Sequence, residues 1–219
     1  MDDYRDSLDV WLLSTERIKN MDISALQSSL PPCRQEKIHR IKTEDEKLRS
    51  LGAGLLLNKL LQQYQCTEED LQYGKNGKPH LFREGAPVFN LSHSGDYVML
   101  AFTKKENCEL GADIQKIKTL KPGMANRLLS EAEKRWSEKD YAFLNHVWCI
   151  KEAFSKMLGK GITMNFRNIV IDEKNQTCYD EISEKKAYFT KIQTDGDYAA
   201  YVCHSEPIQN ISARIITLE

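Results

Sequence analysis

Residues Trp148–Gly161, WCIKEAFSKMLGKG, read as a helix whose place in the chain decides the fold. With the turn before it, Phe143, Val147, Ile150, Phe154 and Leu158 recur at helical spacing and form one apolar face. Gly159 and Gly161 close it, where glycine accepts the left-handed backbone of a helix end. Glu152 and Lys156, four residues apart, share the opposite side. Such a pair is ordinarily solvated and contributes only about 0.2–0.5 kcal/mol. The neighbouring Lys151 alters nothing in that reading.

On both sides of this helix the pattern changes to strands. Before it, Ser130-Glu-Ala-Glu133 is a capping box that predicts a helix start, and CELGADIQKI (108–117) reads as a strand. After it, FRNIVIDE, KAYFTKIQ, DYAAYVC and ISARIITL read as short strands, with Thr194-Asp-Gly-Asp as a hairpin turn. The first half runs the same way. VWLLST is strand-like, Pro31-Pro32 suit a helix start, and CRQEKIHRIKTEDEKLRSLGAGLLLNKLLQQYQ has helical composition. Leu48, Leu51, Leu55, Leu56 and Leu60 mark its apolar stripe. The turn-rich YGKNGKP comes next, and FNLSHSGDYVMLAFT gives two strands bent at His-Ser-Gly-Asp. The order strand, helices, strands therefore occurs twice, on either side of a polar break at Lys104–Asn107. This predicts an α+β fold of two similar halves, 1–107 and 108–219, with a ligand groove between them.

Composition narrows the function classes. Hydrophobic residues at 41% and charged residues at 29% fit a folded soluble chain. The formal net charge of −1 supplies no bulk field toward nucleic acid or membrane, so a polyanion must meet a local cluster of bases. The opening MDDYRDSLDV lacks a basic n-region, and no apolar stretch approaches the roughly 20 residues of a membrane span. Cys33, Cys66, Cys108, Cys149, Cys178 and Cys203 are scattered without ligand spacing, which predicts reduced thiols in a cytoplasmic protein.

Four groups of residues carry candidate chemistry. In ELGADIQKI, Asp113 and Gln115 alternate with Leu110, Ala112 and Ile114 and so project to one side of a strand. That side is either solvated or an oxygen site for a hard cation such as Mg²⁺, which takes one or two carboxylates and completes its shell with phosphate and water. Asn90, Ser92 and Ser94 share a face, and His93 lies at the bend. Hydroxyls, an imidazole and open N–H groups together suit phosphate. The loop holding Gly77, Lys78 and Pro79 is basic but has no phosphate-loop spacing. Arg34, Lys37, Arg40 and Arg49 are interleaved with acids, as on a solvated helix face.

Taken in order, G-K-P, F-N-L-S-H-S-G, G-x-D-I-Q and W-x-x-K-E-x-x-x-K make a chain that closely resembles the 4′-phosphopantetheinyl transferases. The resemblance is to the long, monomeric, pseudo-dimeric type that activates peptide synthetases, and it runs over nearly the whole chain. It implies Mg²⁺-dependent transfer (with Mn²⁺ as a substitute) of the phosphopantetheine arm of coenzyme A to a serine of an acyl or peptidyl carrier protein, releasing 3′,5′-ADP. Matched by motif, Asp113, Gln115 and Glu152 would hold the metal. Glu152 would take the serine proton, and Lys156 would meet the pyrophosphate, so the Glu152/Lys156 pair would face the groove. Ser92 and His93 would bind phosphates, Gly77, Lys78 and Pro79 would line the adenine end, and Arg34, Lys37 and Arg49 would clamp the 3′-phosphate. Gln115 departs from the pattern, because many relatives carry glutamate there; its amide oxygen would coordinate the metal or a water would take its place. Two rival readings are a Mg²⁺-dependent phosphohydrolase that cleaves coenzyme A or a nucleotide with water, and a non-catalytic coenzyme A sensor or carrier-protein-binding module.

Overall fold

The computed structural model describes residues 6–217. The acidic opening through Arg5 and Leu218 of the last predicted strand lie outside the described residues. The first half begins with β1 (Ser7–Ser14), followed by the short helices α1 (Thr15–Lys19) and α2 (Ile23–Ser28), then α3 (Pro32–His39) and α4 (Glu44–Gln63). A small hairpin of β2 (Leu71–Tyr73) and β3 (Pro79–Leu81) leads to β4 (Val88–Ser94) and β5 (Tyr97–Thr103). The second half holds β6 (Leu110–Lys116), α5 (Met124–Leu128), a 3-10 segment Glu131–Trp136, and α6 (Tyr141–Met157). Two further 3-10 turns, Gly161–Thr163 and Phe166–Asn168, precede β7 (Ile169–Asp172), β8 (Thr177–Asp180), β9 (Lys186–Lys191), β10 (Tyr198–His204) and β11 (Asn210–Ile215). Among the described residues no helix is long and apolar enough to cross a membrane.

Two sheets organise these elements, in the orders β11-β1-β5-β4 and β6-β10-β9-β8-β7. The molecule is α+β, and its apolar interior falls into three layers. The leucines Leu48, Leu51, Leu55, Leu56 and Leu60 of α4 are all buried, in one core with Trp11 and Phe102 of the first sheet. Helix α6 packs Val147, Ile150 and Phe154 against the second sheet. Between the sheets, Val10, Leu12, Met99 and Ala101 meet Ala112, Ile114, Ala200 and Val202. The two halves thus share a dry interface as well as a groove.

Several elements differ from the sequence reading. The stretch 33–65, read as helical in composition without a division point, is split into α3 and α4. Thr43 is extended, and the acids Glu44, Asp45 and Glu46 sit in the first turn of α4, where the helix dipole favours them. Helices α1 and α2 are too short to show a period. His93 and Ser94 belong to β4, so the bend narrows to Gly95-Asp96, with Gly95 at φ +54°. The capping box at Ser130 is real, since Glu133 accepts the Ser130 N–H at 2.9 Å, but it opens a 3-10 segment. The α-helix starts afresh at Asp140, whose carboxylate accepts the Phe143 N–H at 2.8 Å. The final strand, expected with the second half, pairs in parallel with β1 and extends the first sheet.

Candidate functional site

The site is built on the seam where β4 of one sheet meets β6 of the other. No backbone ladder joins these strands. Instead, alternate side chains of β4 take the place of carbonyls. The N–H of Ala112 donates to Asn90 Oδ1 at 2.8 Å, that of Ile114 to Ser92 Oγ at 3.3 Å, and that of Lys116 to Ser94 Oγ at 3.0 Å. The period of two in N-x-S-x-S is therefore the period of a strand edge read by side chains. It fixes the register between the lobes and leaves Asp113, at 2% exposure, pointing at Ser92.

Gly111 brings the third element in. A methyl group on its Cα would overlap the Ala153 carbonyl and the Met157 N–H, so α6 lies backbone to backbone on β6. The Cys149 thiol donates to the Asp113 carbonyl at 3.2 Å and holds the helix at that height. Helix α6 is buried nearly all round, its polar side included, and Glu152 is only 7% exposed. Glu152 and Lys156 do not form the exposed pair that their spacing alone would suggest. Lys156 Nζ reaches across to Asp113 Oδ1 at 2.6 Å and Ser92 Oγ at 2.9 Å. Ser92 Oγ meanwhile donates to Asp113 Oδ1 at 2.8 Å. Its hydroxyl is fully used, joining β4, β6 and α6 at one atom.

Ser92, His93, Asp113, Gln115, Glu152 and Lys156 all line one cavity of about 370 Å³, with Trp148 and Lys118 among its other walls. Burial, reinforced by the Asp113 charge and opposed by Lys156, pushes the Glu152 carboxyl up to about 7. Desolvation, then the charges of Arg49 and Lys156, hold the His93 imidazole below its ordinary pKa, although the residue as a whole is exposed. His93 therefore presents a neutral ring with one donor near pH 7.

The donor set suits a hard cation. Two largely buried carboxylates line one cavity, only Asp113 of the two is ion-paired among the described residues, with Lys156, and oxygen is the ligand type Mg²⁺ prefers. Among the described residues no group of three His, Cys, Asp or Glu converges on a metal position. The amide of Gln115, beside Asp113 on β6, is the candidate third ligand that the sequence reading named. That amide now donates its NH₂ to Asp113 Oδ2 at 3.1 Å and accepts the Ser94 hydroxyl at 3.5 Å. A half-turn of the amide would offer its oxygen instead.

The other predicted ligands lie apart. Arg49 is half-buried beside the cavity and donates to the Gly95 carbonyl at 3.2 Å. Arg34 on α3 donates to the Tyr73 hydroxyl at 3.3 Å, and Lys37 is exposed on the same helix. Lys78 and Pro79 line a separate cavity of about 510 Å³, and Gly77 forms the β2–β3 turn at φ +77°. Lys78 is turned inward, and its ammonium donates to the carbonyls of Leu110 at 2.8 Å and Met157 at 3.0 Å, tying the first half to β6 and α6. Burial lowers its pKa.

Lys151, read from sequence as inconsequential, is fully buried. Its ammonium pairs with Glu133 and donates to the carbonyls of Leu128 at 2.8 Å and Phe166 at 3.1 Å. Burial lowers its pKa against the opposing pull of Glu133. The capping-box position of Glu133 was the only sequence signal, and it pointed to a helix start rather than to an ion pair.

Known proteins resemble the chain over most of its length. The profile of the 4′-phosphopantetheinyl transferase superfamily matches residues 109–203, and that of the 4′-phosphopantetheinyl transferase N-terminal region matches residues 17–105. The chain is 32% identical to slr0495 of Synechocystis sp., assigned as a 4′-phosphopantetheinyl transferase, over 75% of this chain and 70% of that one. It is 27% identical to the 4′-phosphopantetheinyl transferase Sfp of Bacillus subtilis, over 82% of this chain and 84% of Sfp. It is 29% identical to the 4′-phosphopantetheinyl transferase psf-1 of Bacillus pumilus, over 80% and 78%. The two profiles meet at the polar break between the halves.

Proposed function

The chain belongs to the 4′-phosphopantetheinyl transferase superfamily, whose members move a phosphopantetheine arm to a carrier-protein serine, and from that premise we propose that its seam cavity is where the transfer occurs. The observation that carries this reading is the convergence of Ser92, His93, Asp113, Glu152 and Lys156, drawn from β4, β6 and α6, on one cavity. The donor is coenzyme A and the product released is 3′,5′-ADP.

Phosphoryl transfer asks a protein mainly for positioning and charge neutralisation. Asp113 and Glu152, with Gln115 after its amide turns, would hold Mg²⁺, which supplies Lewis-acid neutralisation of the pyrophosphate when bound. His93 would bind a phosphate oxygen, Ser92 would do so by exchanging its hydrogen bond to Asp113 for one to phosphate, and Arg49 would meet a phosphate on the His93 side. Glu152, which lines both the seam cavity and the cavity beside it, would take the proton of the acceptor serine. The serine oxygen bonds to phosphorus as the pyrophosphate P–O bond breaks and the electron pair leaves on the ADP oxygen. Lys156 swings from Asp113 to that oxygen and stabilises its charge. Arg34 and Lys37 would bind the 3′-phosphate only from the α3 side. Lys78 and Pro79 contribute through the shape of the lobe junction and the neighbouring cavity.

The test is to incubate the protein with coenzyme A, Mg²⁺ and an apo-carrier and to weigh the carrier by mass spectrometry. The expected result is one phosphopantetheine per carrier, on serine, lost with Glu152→Ala. Rapid 3′,5′-ADP release without carrier would favour the hydrolase instead. Coenzyme A binding with no chemistry would favour a sensor.

A further inference from the structure

The buried Lys151–Glu133 pair has no part in the transfer chemistry, yet it binds together several segments of the second half. The lysine ammonium has three N–H bonds and three acceptors: Glu133, the Leu128 carbonyl and the Phe166 carbonyl. Glu133 in turn accepts the N–H groups of Ser130 at 2.9 Å and Ile171 at 2.8 Å. Leu128 ends α5, and Phe166 opens the turn before β7. These two tethered segments, through Met124, Arg127, Met164 and Arg167, wall a second cavity of about 550 Å³. Trp148 and Glu152 line that cavity as well as the seam cavity. The Glu152 carboxylate is thus approached from two sides. With coenzyme A phosphates on the Ser92–His93–Lys156 side, the α5 side is open to the acceptor hydroxyl. A buried ion pair adds little net stability over an apolar one, so its value lies in fixing geometry.

We propose that Lys151 and Glu133 are positioning residues, which set the two walls of this groove so that the serine-bearing face of the carrier protein seats against Glu152. This rests on the chain's acting as a transferase at the seam cavity. The test is steady-state kinetics with coenzyme A and apo-carrier varied in turn, alongside calorimetry of coenzyme A and 3′,5′-ADP binding. The proteins compared are wild type, Lys151→Met, Glu133→Gln, and the double variant, which leaves no buried charge unpaired. The expected result is a rise in carrier KM of about tenfold or more, with coenzyme A KM and affinity held within about twofold. A fall in kcat alone, with both KM values unmoved, reports a smaller folded fraction and overturns the positioning role. So does an equal rise in both KM values, or failure of all three variants to fold. Weakened coenzyme A binding with 3′,5′-ADP binding intact would place the pantetheine arm in the groove and overturn the acceptor assignment. Transfer by wild type with variant KM values unchanged sinks this proposal alone, whereas no transfer by wild type sinks the transferase function with it.

Discussion

Lys156 and Asp113 stand 2.6 Å apart across the seam, so the ammonium neutralises the carboxylate that is most buried in the cavity. Lys156 and Ser92 both contact Asp113 Oδ1, while Oδ2 receives the Gln115 amide. A cation taken at Oδ1 in the proposed transfer would displace Lys156 and free it for a phosphate.

Lys156→Met leaves Asp113 buried without its countercharge. The metal-free protein should lose about 1–3 kcal/mol in urea unfolding. Millimolar Mg²⁺ should restore part of that loss in the variant. Transfer should fall on the order of a hundredfold or more, because the leaving oxygen loses its cation. A variant as stable as wild type would separate Lys156 from Asp113.

Gly111→Ala places a methyl group against the backbone of α6 at Ala153 and Met157. The helix must lift, which costs about 1–3 kcal/mol. Glu152 and Lys156 ride on that helix, so kcat should fall at least about tenfold even where the variant is fully folded. Circular dichroism melting and kinetics on the folded fraction check both halves of this expectation.

The Glu152 carboxyl titrates near 7 rather than in the ordinary range because burial and the Asp113 charge favour its neutral form. A raised folded-state pKa means the native protein keeps the proton to higher pH than the unfolded chain. Stability of the metal-free protein should therefore be full below about pH 4.5 and fall as pH rises to about 7, by an amount on the order of 3 kcal/mol. Glu152→Gln should flatten this slope and exceed wild type in stability at pH 8. Denaturant melts at several pH values in chelator provide the measurement.

Gln115→Glu adds a third carboxylate beside Asp113. Mg²⁺ affinity by titration calorimetry should rise about tenfold, since charge count is a main determinant of hard-cation binding. Metal-free stability should fall through like-charge repulsion. An unchanged Mg²⁺ affinity would exclude position 115 from the metal shell.

Features governed by a period or a motif could be read directly from the sequence. The α4 leucines, the α6 face and the doubled strand–helix order were all legible because helical and strand spacing are local properties. Asp113, Glu152, Lys156, Ser92 and His93 line one cavity, and a groove between the halves is what the resemblance leads one to expect. Hidden from the sequence was whatever depends on contacts between distant segments. Nothing around residue 78 tells that its ammonium reaches carbonyls at 110 and 157, or that Lys151 turns inward while Lys156 turns to the seam. Adjacent helix positions look alike until the packing of α6 decides which of them face the sheet. The homing of β11 on β1 is invisible for the same reason.

That last pairing bears on how the molecule comes into being. β1 leaves the ribosome long before β11, so the sheet it begins must wait through the synthesis of every other strand before its outer edge is covered. Until then a hydrogen-bonding border stays available to other nascent chains. The two halves that look like separable duplicates are stitched together by the chain's return, and the first sheet stays open at one edge until β11 has emerged.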